Sequence, residues 1–413
     1  MELALTPHTA AGMRLVALAE QYAADFATRA EQHDRQGSFP FENIAALQQS
    51  GVLAACVPQE FGGLGIESLY DTTVGINRLA RGDGSTAIAA NMHIFYPWRL
   101  TRTWRAATHV GNAAQAQQTA GLLQQVGTGQ LVRCALLSES GTDLVRPLVE
   151  ATRTAGGWLL NGRKSFATMS PAATLMEVTC RMHDAHGGYR RAIASVPRGA
   201  PGMHIAHNWD ALGMRGSGSR DVEFIDCFVP ETALVDGGPW GVWTEGFLAS
   251  NLAFAIGLSG AFLGLAEAAR DYVVTTAKTR RQSSGGPLLA ERYAVQHAIA
   301  EIEVDLAAAR AILARTMTLA DRLFQTYPAG SVPMAELHEV MKDFQCAKLV
   351  VTRNAVTIVD RALTISGGAG YLSKNLLSRL YRDVRAGPFM QPFSPNEAFA
   401  YIGRVTLGLD PNT

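Results

Sequence analysis

The feature that most constrains this chain is a change of pattern in its middle. From about Leu131 to Leu234 it runs in short segments of β-branched and aromatic residues, among them "VRCALLSES", "LVEATRTAGGWLLNGRKSFAT", "TLMEVTCRM", "YRRAIASVP" and "DVEFIDCFVP", with turn residues between. Strands this short and this regularly punctuated predict a small antiparallel barrel or sandwich. "AGGWLLNG" carries two turn signals, Gly156-Gly157 and Asn161-Gly162. On either side, apolar residues recur at three- and four-residue spacing, the period of a helix. Before the middle stand "TAAGMRLVALAEQYAADFATRAEQHD", "PFENIAALQQSGVLAA" and "SLYDTTVGINRLARGDGSTAIAANMHIF", the last reading as two helices parted by "RGDGS". After it come three long helical patterns. The first, "EGFLASNLAFAIGLSGAFLGLAEAARDYVVTTAKTRR", is apolar on most of its circumference, as a buried bundle helix must be. The expected fold class is a multi-layer α+β protein: an N-terminal α-helical domain over 1–128, a middle β domain over 129–238, and a C-terminal four-helix-bundle-like domain over 239–413.

Such a plan needs a large core. With 47% apolar and 17% charged residues the chain has one, with material left for a subunit interface. Lys+Arg and Asp+Glu balance at 36 each, which argues against a nucleic-acid or anionic-membrane surface. No apolar run reaches the roughly 18 residues that span a bilayer. "MELALTPHTAAGMRLV" has no basic segment followed by an apolar one, so no signal peptide is expected and a cytoplasmic location is. Five scattered cysteines without a CxxC pattern read as reduced core residues. Ten histidines form no HExxH or paired-ligand spacing, so no metal is expected.

Local signatures then follow in order along nearly the whole chain: "VPQEFGGLGI", "LLSESGTDL" from Leu136, "NGRKSFATMS" from Asn161, "WDALGMRGSGSRDVEFIDCFVP" from Trp209, "AKTRRQSS" around Arg280, and "GGAGYL" followed by "YRDVR". Together they resemble the acyl-CoA dehydrogenase superfamily of flavoproteins, although the "LLSESGTDL" turn is shortened and Ser283 replaces that family's phenylalanine. The resemblance implies FAD as cofactor. It assigns Leu136 and Ser138 to the flavin ring edge, Phe166 and Thr168 to the ring face and its N5, and Arg280 to the pyrophosphate. It also assigns Gln296 to the adenine end, Gly367 and Gly368 to close approach of a phosphate, and Ser394 to a helix start near the flavin.

The residues have their own physical reading. Phe166 and Thr168 alternate on one strand, so they share a face and Ala167 points away. A guanidinium suits bidentate phosphate contact, and paired glycines let backbone approach a phosphate closely. The plainer readings are a core phenylalanine with an edge threonine, a surface arginine beside Arg281, a glycine helix C-cap and a solvated Gln296. Ser394-Pro395-Asn396-Glu397 reads as a capping box, Ser394 being the N-cap and Glu397 the third helical residue.

In the family, a glutamate on the loop spelled here "FMQPF" removes the substrate α-proton while the flavin takes hydride. Counted from Arg382-Asp383, that position falls on Gln391. A primary amide does not titrate near neutral pH and cannot serve as a general base. Some members carry the base on the long helix after the β domain, where Phe254 and Ala255 stand here. Glu245 is the nearest acid, and it suits a helix start; an arginine the family often places against its thioester is missing. The resemblance thus leads to oxidation of the Cα–Cβ bond of an acyl thioester, on coenzyme A or a carrier protein, with the usual base absent. Beside it stands a flavin-dependent monooxygenase of the same fold using reduced flavin and O2. Such enzymes often place a histidine near this loop, and none occurs between Arg382 and Arg404. A flavoprotein subunit without dehydrogenase activity is the third reading. An electron-transfer or reductase partner and a homo-oligomer, tetramer or dimer, complete the expectation.

Overall fold

The structure, a computed structural model, describes residues 4–412. Six helices come first: α1 (Ala10–Ala27), α2 (Ala30–Gln36), α3 (Phe41–Gln49), α4 (Leu69–Gly82), α5 (Gly84–His109) and α6 (Ala113–Gly127). The break expected between α4 and α5 shrinks to one residue, because Asp83 caps α5 directly. Its carboxylate accepts the N–H groups of Ser85 and Thr86, each at 3.2 Å.

Eight strands follow: β1 (Arg133–Leu136), β2 (Glu150–Thr154), β3 (Gly157–Ala167), β4 (Leu175–His183), β5 (Tyr189–Pro197), β6 (Met203–Ile205), β7 (Arg220–Pro230) and β8 (Leu234–Pro239). They form one sheet in the order β6-β7-β3-β2-β4-β5-β8, with β1 also on β4. Most pairings are antiparallel, as expected, but β1–β4 and β2–β4 are parallel, so the sheet is mixed. β5 occupies one edge of β4, and β1 and β2 lie end to end along the other, beside 175–178 and at Arg181. Only one of the two turn signals is a turn. Ala155-Gly156 joins β2 to β3, whereas Asn161-Gly162 lies inside β3, where the register against β7 slips between Leu160 and Gly162. Gly162 has φ +132°, and a Cβ there would stand 3.1 Å from the Val149 backbone, so glycine is what admits this bulge.

The C-terminal part holds α7 (Glu245–Thr279), α8 (Tyr293–Thr326), α9 (Met334–Ser366), α10 (Leu376–Val384) and α11 (Pro395–Thr406). α7 is long and apolar enough to cross a membrane, yet its most apolar stretch is buried against α4, α5 and α9. Its composition is that of a core helix. The "YRDVR" segment ties this bundle to the rest. Asp383, pushed up to about 6 by burial, accepts the Met214 N–H at 2.6 Å, and Arg382 pairs with Asp34 of α2. The five cysteines are free, four of them buried and Cys346 half-buried.

Candidate active site

β1 ends against β3, where the Ser138 carbonyl accepts the Ser165 N–H at 2.9 Å. That contact brings Ser138 beside Phe166, a residue that is 65% exposed and whose ring stands edge-on to Trp209 at 5.9 Å between centroids. Phe166 holds φ +56°, and the β3–β7 register slips again between Lys164 and Ala167. The bulge, rather than simple alternation, turns the ring outward while Ala167 stays buried. Thr168 Oγ1 lies 2.7 Å from Ser219 Oγ, and the Ser138 hydroxyl has no hydrogen-bond partner among the described residues. An open aromatic face beside an unspent hydroxyl fits a flavin ring, which is flat and carries its polar atoms along its edge. Leu136 is wholly buried in the sheet's core, so its side chain faces away and Leu137 is the residue that lines the neighbouring cavity.

Two buried charges hold this turn, and neither stands out in the sequence. The Lys164 ammonium pairs with the Glu139 carboxylate and donates to Thr179 Oγ1 at 2.9 Å. Burial lowers the lysine pKa, against the pull of Glu139.

Arg280, Gly367, Gly368 and Gln296 form a second group elsewhere. Arg280 caps α7, and its Nη1 donates to the Ser366 carbonyl at 2.8 Å, next to Gly367, which ends α9 with φ +62°. A Cβ at Gly367 or Gly368 would meet nothing within 4 Å, so conformation rather than crowding demands the first glycine. Gln296 is exposed and donates to the Ala290 carbonyl at 2.9 Å, bracing the turn before α8. Phe254 lines the cavity, and Arg280 lies 26 positions later (280 − 254) along the same helix and its cap, roughly 39 Å at about 1.5 Å per residue. One chain therefore assembles each group but keeps Arg280 far from the cavity.

The Gln391 loop is strapped from below. Lys348, which burial pushes down to about 8, donates to the carbonyls of Met390 and Phe393 on either side of Gln391. Ser394 then starts α11, its N–H received by Glu397 at 2.7 Å. Gln391 itself is half-buried and is not among the residues lining the cavity. Trp243 links the loop to that cavity, touching Phe393 edge-on at 5.7 Å and stacking on Phe247 at 5.4 Å.

The cavity, about 420 Å³, opens between α5, the sheet and the first turns of α7. Arg99 of α5 and Arg133 of β1 both donate to Glu177 of β4, and both guanidinium groups lie over the Tyr96 ring, at 5.3 and 5.4 Å. Burial alone would push the Glu177 carboxyl up, but the two arginines outweigh it and hold it at about 2. His93, kept neutral by burial at about 3, accepts the Arg133 N–H on Nδ1 at 2.9 Å. Arg102 differs. It donates to the carbonyls of Phe324 and Tyr327 and lies over the Trp98 and Phe324 rings, with no carboxylate in ion-pair distance among the described residues. It also walls a second cavity of about 400 Å³. Of the remaining acids, Asp236 is paired with Arg190, and Glu245, raised by burial, accepts the Gly330 N–H at 3.2 Å. No cluster of three or more His, Cys, Asp or Glu suited to a metal occurs among the described residues. Sequence reasoning missed this wall; Tyr96, Arg99 and Arg102 at steps of three were the one local signal of it.

The chain matches the acyl-CoA dehydrogenase N-terminal domain over residues 13–120, the middle domain over 134–227 and the C-terminal domain over 256–393. It is 35% identical over 403 residues to the amino sugar nitrososynthase DnmZ of Streptomyces peucetius, covering 97% of this chain and 95% of that one. A solved structure of KijD3 with FMN and dTDP-3-amino-2,3,6-trideoxy-4-keto-3-methyl-D-glucose superposes with a TM-score of 0.89 at 33% identity, covering 98% and 96%. The nitrososynthase from Micromonospora carbonacea var. africana does so with 0.89 at 34%, covering 99% and 100%. Matched in all three domains and along nearly its whole length, the chain belongs to the acyl-CoA dehydrogenase family and is a flavoenzyme of that fold.

Proposed function

We propose that this protein is a flavin-dependent oxygenase that oxidises the amine of a nucleotide-linked amino sugar. The observation that carries the reading is that the family's base positions hold no acid: Gln391 stands on the loop, and Phe254 and Ala255 stand on α7. Thioester dehydrogenation needs a base for the α-proton, and Gln391 offers only an amide off the cavity wall. Of the acids on the cavity wall, Glu177 is held by two arginines and Asp236 by a third, while Glu245 at the start of α7 accepts the Gly330 N–H. Oxygenation of an amine needs no such base, because the lone pair of the free amine is the nucleophile.

The relatives named above as nitrososynthases, and the amino-sugar nucleotide bound to one solved neighbour, support the same substrate class. Reduced flavin, when bound, supplies two electrons for splitting O2, so that with two protons an amine becomes a hydroxylamine and the second oxygen atom leaves as water. The chain's own residues do the rest. Phe166, Ser138 and Thr168 seat the ring, and Lys164 with Glu139 fixes the turn beneath it. Arg102, an arginine with no carboxylate in ion-pair distance among the described residues and at a junction of two cavities, suits the diphosphate of the substrate. In this reading a partner reductase delivers the reduced flavin. Shared contacts between copies would let Arg280 and the Gly367-Gly368 turn reach the phosphate end of either FMN or FAD.

The test is to supply reduced flavin, O2 and a thymidine-diphosphate-linked amino sugar, and to follow the product by mass spectrometry. Gain of oxygen at nitrogen is expected. Anaerobic bleaching of the flavin by acyl-CoA thioesters, with no oxygenated sugar, would return the assignment to dehydrogenation.

A further inference from the structure

We infer that Asn251 receives the substrate amine in this cavity, an inference that rests on the amino-sugar reading above. Asn251 lies in α7, is 2% exposed, and lines the cavity. Its Nδ2 donates to the Phe247 carbonyl at 2.8 Å, one turn earlier, and its Oδ1 has no partner among the described residues. The amide cannot simply be turned over, because that would set its oxygen against the Phe247 carbonyl, acceptor to acceptor. The unspent atom is therefore an acceptor, and it is neutral. Asparagine is also a poor helix former, and a buried acceptor left unmade is costly, so this position is unfavourable twice over unless a ligand completes it.

The opposite kind of atom is unspent as well. Arg133, on the sheet side of the same cavity, keeps a buried Nε without an acceptor among the described residues, while its other guanidinium nitrogens serve Met92 and Glu177. Two residues that line the cavity thus each keep a buried polar atom, one an acceptor and one a donor, that do not satisfy each other. A sugar ring bearing an amine and a keto or hydroxyl oxygen carries both complements. The other charged groups on these walls are Arg99, Arg102, Glu177, Asp236 and Glu245, none of them a neutral acceptor.

Neutrality matters to the chemistry. An amide oxygen takes an N–H of a free amine and leaves the nitrogen lone pair available for oxidation. A carboxylate would instead favour the ammonium form, which has no lone pair. Asn251 is in this sense a positioning residue that selects both the amine and its reactive state.

The experiment measures binding by calorimetry to the flavin-loaded protein, with three probes: a thymidine-diphosphate-linked 3-amino sugar, its analogue with hydrogen in place of the amine, and thymidine diphosphate alone. Wild type is expected to prefer the amine over the deaminated analogue by roughly tenfold, the size of one well-made hydrogen bond. Asn251→Leu should erase that preference, and so should Asn251→Ala, which removes the same acceptor without adding bulk, while all three proteins should bind thymidine diphosphate alike. If Asn251→Leu keeps the tenfold preference while binding thymidine diphosphate normally, the inference fails and the amino-sugar reading stands. If wild type shows no preference, or binds neither sugar nucleotide, both fall together.

Discussion

Lys164 and Glu139 form an ion pair sealed beneath the turn that carries Ser138, the lysine side chain wholly buried and the carboxylate nearly so. Glu139 also accepts the N–H groups of Leu148 at 2.6 Å and Val149 at 3.2 Å, so one carboxylate fixes both the turn and the entry to β2. Removing one partner of such a pair leaves an uncompensated buried charge, at a cost of about 3–5 kcal/mol. Lys164→Met should lose about that much stability in chemical denaturation and weaken flavin binding with it. An unchanged midpoint would show that the pair does not support the turn.

Phe166 makes the opposite kind of prediction, because its ring is exposed and packs against little but Trp209. Phe166→Ala should change stability by less than about 0.5 kcal/mol. Titration with FMN and with FAD should nevertheless weaken by roughly tenfold, the value of a stacked aromatic contact with its buried area. Equal affinity in variant and wild type would remove this ring from the flavin site.

Restoring the family's acid at position 391 should not create a dehydrogenase. Gln391 is off the cavity wall, and Lys348 fixes its loop through backbone carbonyls that the substitution leaves in place. Gln391→Glu is therefore expected to give no bleaching of the flavin by acyl-CoA thioesters under anaerobic conditions. Bleaching would mean that the substrate sits in the pose the family uses for thioesters.

Glu177 predicts a pH dependence. Its carboxyl is held at about 2 in the folded protein against an ordinary 4.5. The unfolded chain thus binds the extra proton between those values, and the stabilisation is fully present above about 4.5 and lost as pH falls toward 2. The shift corresponds to roughly 3 kcal/mol. Denaturation of wild type between pH 5 and pH 2 should carry this slope, and Glu177→Gln should lack it. The same slope in both proteins would mean that other carboxylates control acid unfolding.

A self-associating surface is also expected. Tyr293, Tyr371, Leu372, Phe389 and Phe399 are exposed on the C-terminal domain, large apolar side chains that a partner copy would cover. Sedimentation should give a dimer or tetramer, and Phe389→Asp with Phe399→Asp should shift it toward smaller species. A wild-type monomer at micromolar concentration would contradict this.

The three-part order of helices, sheet and helices was legible because it rests on local periodicity, which a sequence carries directly. Asn161-Gly162 misled because a hairpin turn and a bulge both need positive φ at glycine, and only pairing with β7 tells them apart. Leu136 and Leu137 illustrate the same limit. Alternation says that they face opposite ways, but not which way the core lies. The Arg99–Glu177–Arg133 group was invisible because its partners lie 78 and 44 positions apart. Lys164 reads as an ordinary surface lysine until Glu139 is folded beneath it. Ser138, Phe166 and Thr168 were singled out only because a family resemblance pointed to them; their residue types alone favour the plainer reading.

α7 carries a wall of the cavity in its first turns and is capped by Arg280 at its far end. A helix fixes both the distance and the rotation between its ends. One residue inserted after Phe254 would swing Arg280 about 100° around the axis and displace it about 1.5 Å. With Arg280 at the phosphate end of the flavin as proposed, apolar side chains between Leu258 and Ala277 could be exchanged for others of similar volume, while a change in the number of residues there would move Arg280 off its target.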